Sequence, residues 1–161
     1  MADVIQTRVY QDIKEILEIS RGKSYAAINL LMVEAYWNIG KRIVEAQDGN
    51  ELAEYGQYLI KDLSKKLTSD YGSGFDETNL RRMRKFYLTF EIRDTLCHEL
   101  SWSHYRTLLK IEREDVRNFY IEECIKSRWS VRELNRQINS FYYERLLASR
   151  NKDMVKRNMQ N

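Results

Sequence analysis

The sequence predicts an all-α domain of about seven helices, and three observations lead there. Apolar residues recur at three- and four-residue spacing along most of the chain, and no stretch alternates as a half-buried strand would. The 161 residues contain no proline and six glycines, so helices can run long before anything stops them. Clear turn and capping signals then mark the joints: Asp48-Gly49-Asn50, Gly72-Ser73-Gly74, and the capping-box pattern Ser130-Val131-Arg132-Glu133. A length of 161 residues with 43% hydrophobic and 32% charged side chains suits one soluble domain with a real core.

In chain order, residues 4–19 carry a helical stripe of Val4, Ile5, Val9, Ile13, Ile16, Leu17 and Ile19. Gly22 loosens the chain there, and a longer pattern follows over 24–46: Ile28, Leu31, Met32, Ala35, Ile39, Ile43 and Ala46. Such a run is long enough for an N-terminal helical hairpin or a coiled-coil contact. Gly40 inside it costs about 1 kcal/mol relative to alanine, which points to a close helix crossing. Of the neighbours Tyr36 and Trp37, one is expected to fill the core and the other to cover its rim.

Residues 57–90 read as helix, three-residue turn, helix. Leu59, Ile60, Leu63 and Leu67 form the first stripe, and glycine supplies the reversal at 72–74. Asp76 is placed to cap the second helix, whose inner arc is Leu80, Met83, Tyr87 and Phe90. After a less regular stretch to Leu100, a short helix starts at Ser101 with Trp102, Tyr105, Leu108 and Leu109 inward. Another covers 114–126, with Glu114 and Asp115 favouring its N-terminal dipole. A last helix runs from Ser130 with Val131, Leu134, Ile138, Phe141, Leu146 and Leu147 on its stripe. The domain thus spans 1–150, and 151–161 is a polar tail or the start of a linker.

The helix after the turn carries the functional signal. Thr78, Arg81, Arg82 and Lys85 fall in the arc opposite its apolar stripe, with Asn79 and Arg84 at the borders. No acidic residue lies between Asn79 and Tyr87, so the outward face is purely cationic. A helix-turn-helix that reads DNA needs one helix anchored to a core and carrying long donors on its far side. Lys61, Lys65 and Lys66 on the preceding helix are placed to hold the backbone. Charge is distributed to match: residues 61–85 carry a net of +3 and 145–161 a net of +4, against −3 for 1–60. That asymmetry suits a polyanionic partner. A solvated face in an all-α bundle is the competing reading of the same pattern.

Other classes of function find little support. Cys97 and Cys124 are too far apart for a CxxC pair, and both read as small buried thiols. His98 and His104 lack ligand spacing, so neither metal nor cofactor is expected. Glu112, Glu114, Glu122 and Glu123 read as dipole partners and solvated surface rather than as a Mg²⁺ nuclease set, and nucleophile elbows and P-loops are missing. No apolar run approaches the ~18 residues that span a membrane. The amphipathic, acid-bearing N-terminus is neither a signal nor a transit peptide, so a cytoplasmic protein without membrane contact is expected.

Several strings occur together in one order: YWNIGKRI (36–43), YGQYLIKDLSKKL (55–67), GFDETNLRRMRKFYLTF (74–90), LSWSHYRTLL (100–109), FYIEECIKSRWSVRELNRQI (119–138) and YERLL (143–147). Together they resemble the N-terminal domain of the YhcG family of bacterial proteins, over roughly residues 10–150. Two positions depart from the family pattern: Asp76 stands where serine is common, and Glu91 where a proline is usual. The resemblance implies an α-helical, DNA-binding-type domain joined to a C-terminal nuclease domain of the PD-(D/E)XK class. No PD…(D/E)xK string occurs here, so the chain is expected to be either part of a longer nuclease or a stand-alone copy of its N-terminal domain. The order helix-turn-helix, LSWSHYRTLL, WSVRELNRQI is also similar in pattern to the DNA-binding domain of ParB-type partition proteins.

The expectation is therefore a non-catalytic DNA-binding module, for duplex or branched DNA, that targets or positions a nuclease domain or subunit. The alternative is a helical dimerisation or protein-interaction module of a nuclease complex, without direct DNA contact. A homo-oligomer fits both, because symmetric helix-turn-helix proteins usually bind as dimers.

Overall fold

A computed structural model describes residues 2–48, 53–90, 96–97 and 99–149. The elements are α1 (Ala2–Asp48), α2 (Ala53–Tyr71), a 3₁₀ turn (Ser73–Phe75), α3 (Glu77–Thr89), α4 (Trp102–Leu108), α5 (Glu114–Ser127) and α6 (Val131–Asn139). A final helical stretch, α7, covers 142–149. Among the described residues there is no strand, and the expected all-α class holds. The tail 151–161 and the positions Glu91 and His98 lie outside the described residues.

The two expected N-terminal segments are one helix of 47 residues rather than a hairpin. Gly22 sits inside it and does not end it. A lone glycine costs only about 1 kcal/mol, too little to break a helix that continues on both sides. The Ser24 hydroxyl spans the spot by donating to the Ser20 carbonyl at 2.9 Å. At a rise of about 1.5 Å per residue, α1 is about 70 Å long. Among the described side chains of α1, only those of its C-terminal third are buried.

Burial on α1 begins at Val33 and continues through Trp37, Gly40, Ile43 and Val44. The expected stripe differs: Ile28, Leu31 and Met32 are exposed, and Ile39 is half-buried. The helix is turned so that Gly40 meets α3. A Cβ at Gly40 would collide with the backbone carbonyl of Met83, so the two helices cross at backbone contact. Trp37 fills the core beside this crossing and donates its indole N–H to the Phe90 carbonyl at 2.6 Å. Tyr36 covers the rim, its ring 4.9 Å from that of Trp102. Each aromatic takes one of the two expected roles.

The path expected over 57–90 is present, with α2 starting earlier, at Ala53. Asp76 caps α3 by accepting from the Asn79 backbone N–H at 2.8 Å. The inner face of α3 buries Leu80, Met83 and Phe86, and Phe90 follows at its C-cap. Phe86 is fully buried, although the expected arc passed from Met83 to Tyr87. A small cluster of Ile43, Ile60, Leu80 and Met83 joins α1, α2 and α3. A larger one runs from Val33, Trp37, Phe86 and Phe90 through Tyr105, Leu108 and Tyr120 to Leu134. Trp102 packs against both.

Polar ties hold the C-terminal half. The Tyr105 hydroxyl accepts from the Cys97 backbone N–H at 2.8 Å, and burial pushes its phenol upward from the ordinary value. His104 takes the third position of the Ser101 cap: its Nδ1 accepts from the Ser101 N–H at 3.2 Å, leaving Nε2–H to donate to the Trp129 carbonyl at 2.9 Å. Burial pushes the Cys124 thiol up to about 11, as a small core thiol requires. The Ser130–Glu133 capping box forms as expected. The last expected helix is two: Phe141 adopts φ 53° between α6 and α7 and is exposed rather than inward. That left-handed residue interrupts the hydrogen-bond ladder, and α7 starts again beyond it.

Candidate nucleic-acid interface

The outward side of α3 is built by subtraction. Once Leu80, Met83 and Phe86 face the core, helical periodicity sends Thr78, Arg81, Arg82 and Lys85 away from it. Thr78, Arg81 and Lys85 are exposed, and Arg82 is half-buried. The expected face is therefore a surface, but its members are not equivalent.

Arg81 leans toward α2. It pairs with Glu77 at 2.8 Å and shares a cleft with Gln57, Tyr58 and Lys61. An exposed pair of this kind is worth little, so the guanidinium remains free to exchange partners. Arg82 leans the other way, toward α4. Its Nη1 donates to the Asn79 side-chain oxygen at 3.1 Å, and the Asn79 amide donates to Asp76 at 3.4 Å. The helix cap thus steadies the arginine one turn later. Asn79 serves this relay and its own backbone cap.

Arg84 is drawn off the face. Its guanidinium donates to the side-chain oxygen of Gln47 on α1, and the Gln47 amide donates to the Gly56 carbonyl of α2 at 3.3 Å. That clamp joins three helices. Lys61 and Lys65 are exposed on α2, whereas Lys66 pairs with Asp62 at 2.8 Å, which raises its pKa.

Two cations that the α3 pattern did not include join Arg82. Arg106 in the last turn of α4 and Lys110 just beyond it line a cleft of about 250 Å³ with Arg82, Ser103, Thr107 and Val131. Their four-residue spacing, opposite buried Tyr105, Leu108 and Leu109, was a sequence signal. Among the described residues no group of three or more His, Cys, Asp or Glu side chains is placed to hold a metal, and no helix is long and apolar enough to cross a membrane.

The fold and this surface define a class: a small all-α domain with a cationic ridge raised over a closely crossed helix pair. The chain belongs to the DUF1016 N-terminal domain family, whose pattern matches residues 12–145. Over an alignment of 181 positions it is 36% identical to the Escherichia coli (strain K12) protein described as "Putative nuclease YhcG". That match takes in 92% of this chain and 48% of the relative, so the chain spans about half of the relative's length. The expected kinship with the YhcG N-terminal domain is therefore correct. No solved structure matches the chain.

Proposed function

We propose that this domain binds duplex or branched DNA through α3 and positions a nuclease domain that lies outside this chain. The observation that carries the reading is the outward face of α3, where Thr78, Arg81, Arg82 and Lys85 stand without an intervening acid on a helix fixed by its cap and by the Gly40–Met83 crossing. Arginine suits bidentate contact with guanine, and lysine holds phosphate. Lys61 and Lys65 flank the face on α2 and add backbone contacts. A relative described as "Putative nuclease YhcG", about half of whose length this chain spans, fits a targeting role. The domain itself does not cleave, since its glutamates serve helix ends and surface.

A second reading, compatible with the first, makes α1 a self-association element. Ile13, Ile16, Leu17, Ile28 and Leu31 are each more than half exposed on the projecting part of the helix. Asp12, Glu15 and Glu18 outnumber Lys14, which pairs with Glu18 at 4.0 Å, toward one end of that segment, and Arg21 and Lys23 follow. Antiparallel pairing with a second copy sets the acidic stretch of each helix against the basic stretch of the other.

The test is a salt-dependent titration on duplex and branched DNA beside a mass measurement in solution. The same DNAs are incubated with Mg²⁺ or Mn²⁺. Binding without cleavage supports the reading. Absence of binding, or cleavage abolished by mutating Glu112, Glu114, Glu122 or Glu123, contradicts it.

A further inference from the structure

We propose that the cleft between α3, α4 and α6 seats a phosphodiester of the DNA backbone, with Arg82, Arg106 and Lys110 as its cationic walls. The inference rests on the DNA-binding reading and adds to it a site that α3 does not supply alone.

Three cations converge on one cleft, and no carboxylate lines it. Like charges brought together in this way repel, and a structure normally relieves them with an acid nearby. Here that relief is missing: among the described residues, neither Arg106 nor Lys110 forms an ion pair. Arg106 is half-buried, so it is less free than a surface arginine to spread its charge into water. An anion entering the cleft satisfies all three.

The geometry favours a phosphate group. Arg82 is already steadied by Asn79 and the Asp76 cap, so less freedom is lost when it binds. Arg106 adds a second planar fork, Lys110 a point charge, and Ser103 a hydroxyl at the cleft edge. The Thr107 hydroxyl is turned inward, donating to the Ser103 carbonyl at 3.2 Å, and shapes the floor. The first turn of α6 contributes only its Val131 side, because Ser130 and Glu133 satisfy each other at its cap. Recognition therefore comes from the side-chain cations. Arg82 belongs both to this cleft and to the outward face of α3, so the phosphate it holds is next to the groove that α3 enters. That placement favours a nucleic-acid phosphodiester over a free phosphate.

The test compares wild type with Arg106→Gln/Lys110→Gln in duplex binding at several salt concentrations, with thermal unfolding as the folding control. Removing two phosphate contacts reduces the log–log salt slope by about two, so the fall in affinity between about 50 and 200 mM salt shrinks roughly tenfold. A second arm follows the backbone amides of Ser103, Thr107 and Val131 by NMR, adding either inorganic phosphate or a short duplex. Shifts with duplex that disappear in the folded double variant support the site. If wild type binds duplex and the variant keeps the same slope, the cleft is not a phosphate site and the α3 reading survives. If wild type does not bind duplex, that reading fails too. Shifts with inorganic phosphate alone then assign the cleft to a small phosphate ligand and overturn the DNA source.

Discussion

Gly40 of α1 lies against the backbone of Met83 in α3, where even a methyl group would overlap the Met83 carbonyl and stand 3.1 Å from the Tyr87 Cβ. Because the obstacle is main chain, no rotamer change relieves it. Gly40→Ala gains about 1 kcal/mol of helix propensity but must force the crossing apart, an overpacking cost of about 1–3 kcal/mol or more. Chemical denaturation should show a net destabilisation. A variant more stable than wild type would mean that the helices do not cross at backbone contact.

The Trp37 indole and the Phe90 carbonyl make a second tie between the same helices, at 2.6 Å and buried. Trp37→Phe keeps an aromatic ring beside Tyr87 but leaves the carbonyl without that donor. The expected loss is about 1–3 kcal/mol, read as a lower denaturation midpoint with an unchanged slope.

Acid sensitivity should be traceable to Glu133. Hydrogen bonds from the Ser130 backbone N–H, then from its hydroxyl, hold the Glu133 carboxyl below its ordinary value. A depressed acid adds stability above the unfolded-state pKa, and that stability is lost as pH falls through the folded value. Wild type should therefore lose stability below pH about 4 more steeply than Glu133→Gln. Parallel profiles from denaturation at several pH values would show that the cap adds nothing in solution.

Self-association should depend on the projecting part of α1. Leu31 is 63% exposed, so Leu31→Glu places a charge outside the core and leaves the fold intact. The mass in solution should fall from that of a dimer to the 19.4 kDa of one chain. A wild-type chain already monomeric at high micromolar concentration would contradict this.

The features legible in the sequence were local ones. Asp76 and the Ser130–Glu133 box could be named as caps because their chemistry spans three residues, and Gly40 stood out because a glycine inside a helix needs a reason. Gly22 misled for the same reason: it is equally isolated, yet nothing lies within 4 Å of it, and it marks neither a break nor a crossing. Phe141 fits the apolar period of the last helix, and its left-handed backbone has no signature at that spacing. The site was legible as one face of one helix. That Arg84 would be drawn to Gln47, 37 residues away, depends on how α1 crosses α3. The meeting of Arg82 with Arg106 and Lys110 depends on how α4 docks, and periodicity within either helix carries no information about that.

The most direct measurement is duplex binding by wild type and by Arg81→Ala/Arg82→Ala/Lys85→Ala across a range of salt. Arg81 and Lys85 are exposed and Arg82 is half-buried, and none belongs to the buried set Leu80, Met83 and Phe86, so the variant should stay folded, with thermal unfolding as the control. Deleting a side chain that holds a phosphate lowers the log–log salt slope by about one, and deleting one that reads a base costs about 1–3 kcal/mol. A folded triple variant with binding abolished is the predicted result. Wild-type affinity and an unchanged salt slope in that variant would show that α3 does not contact DNA.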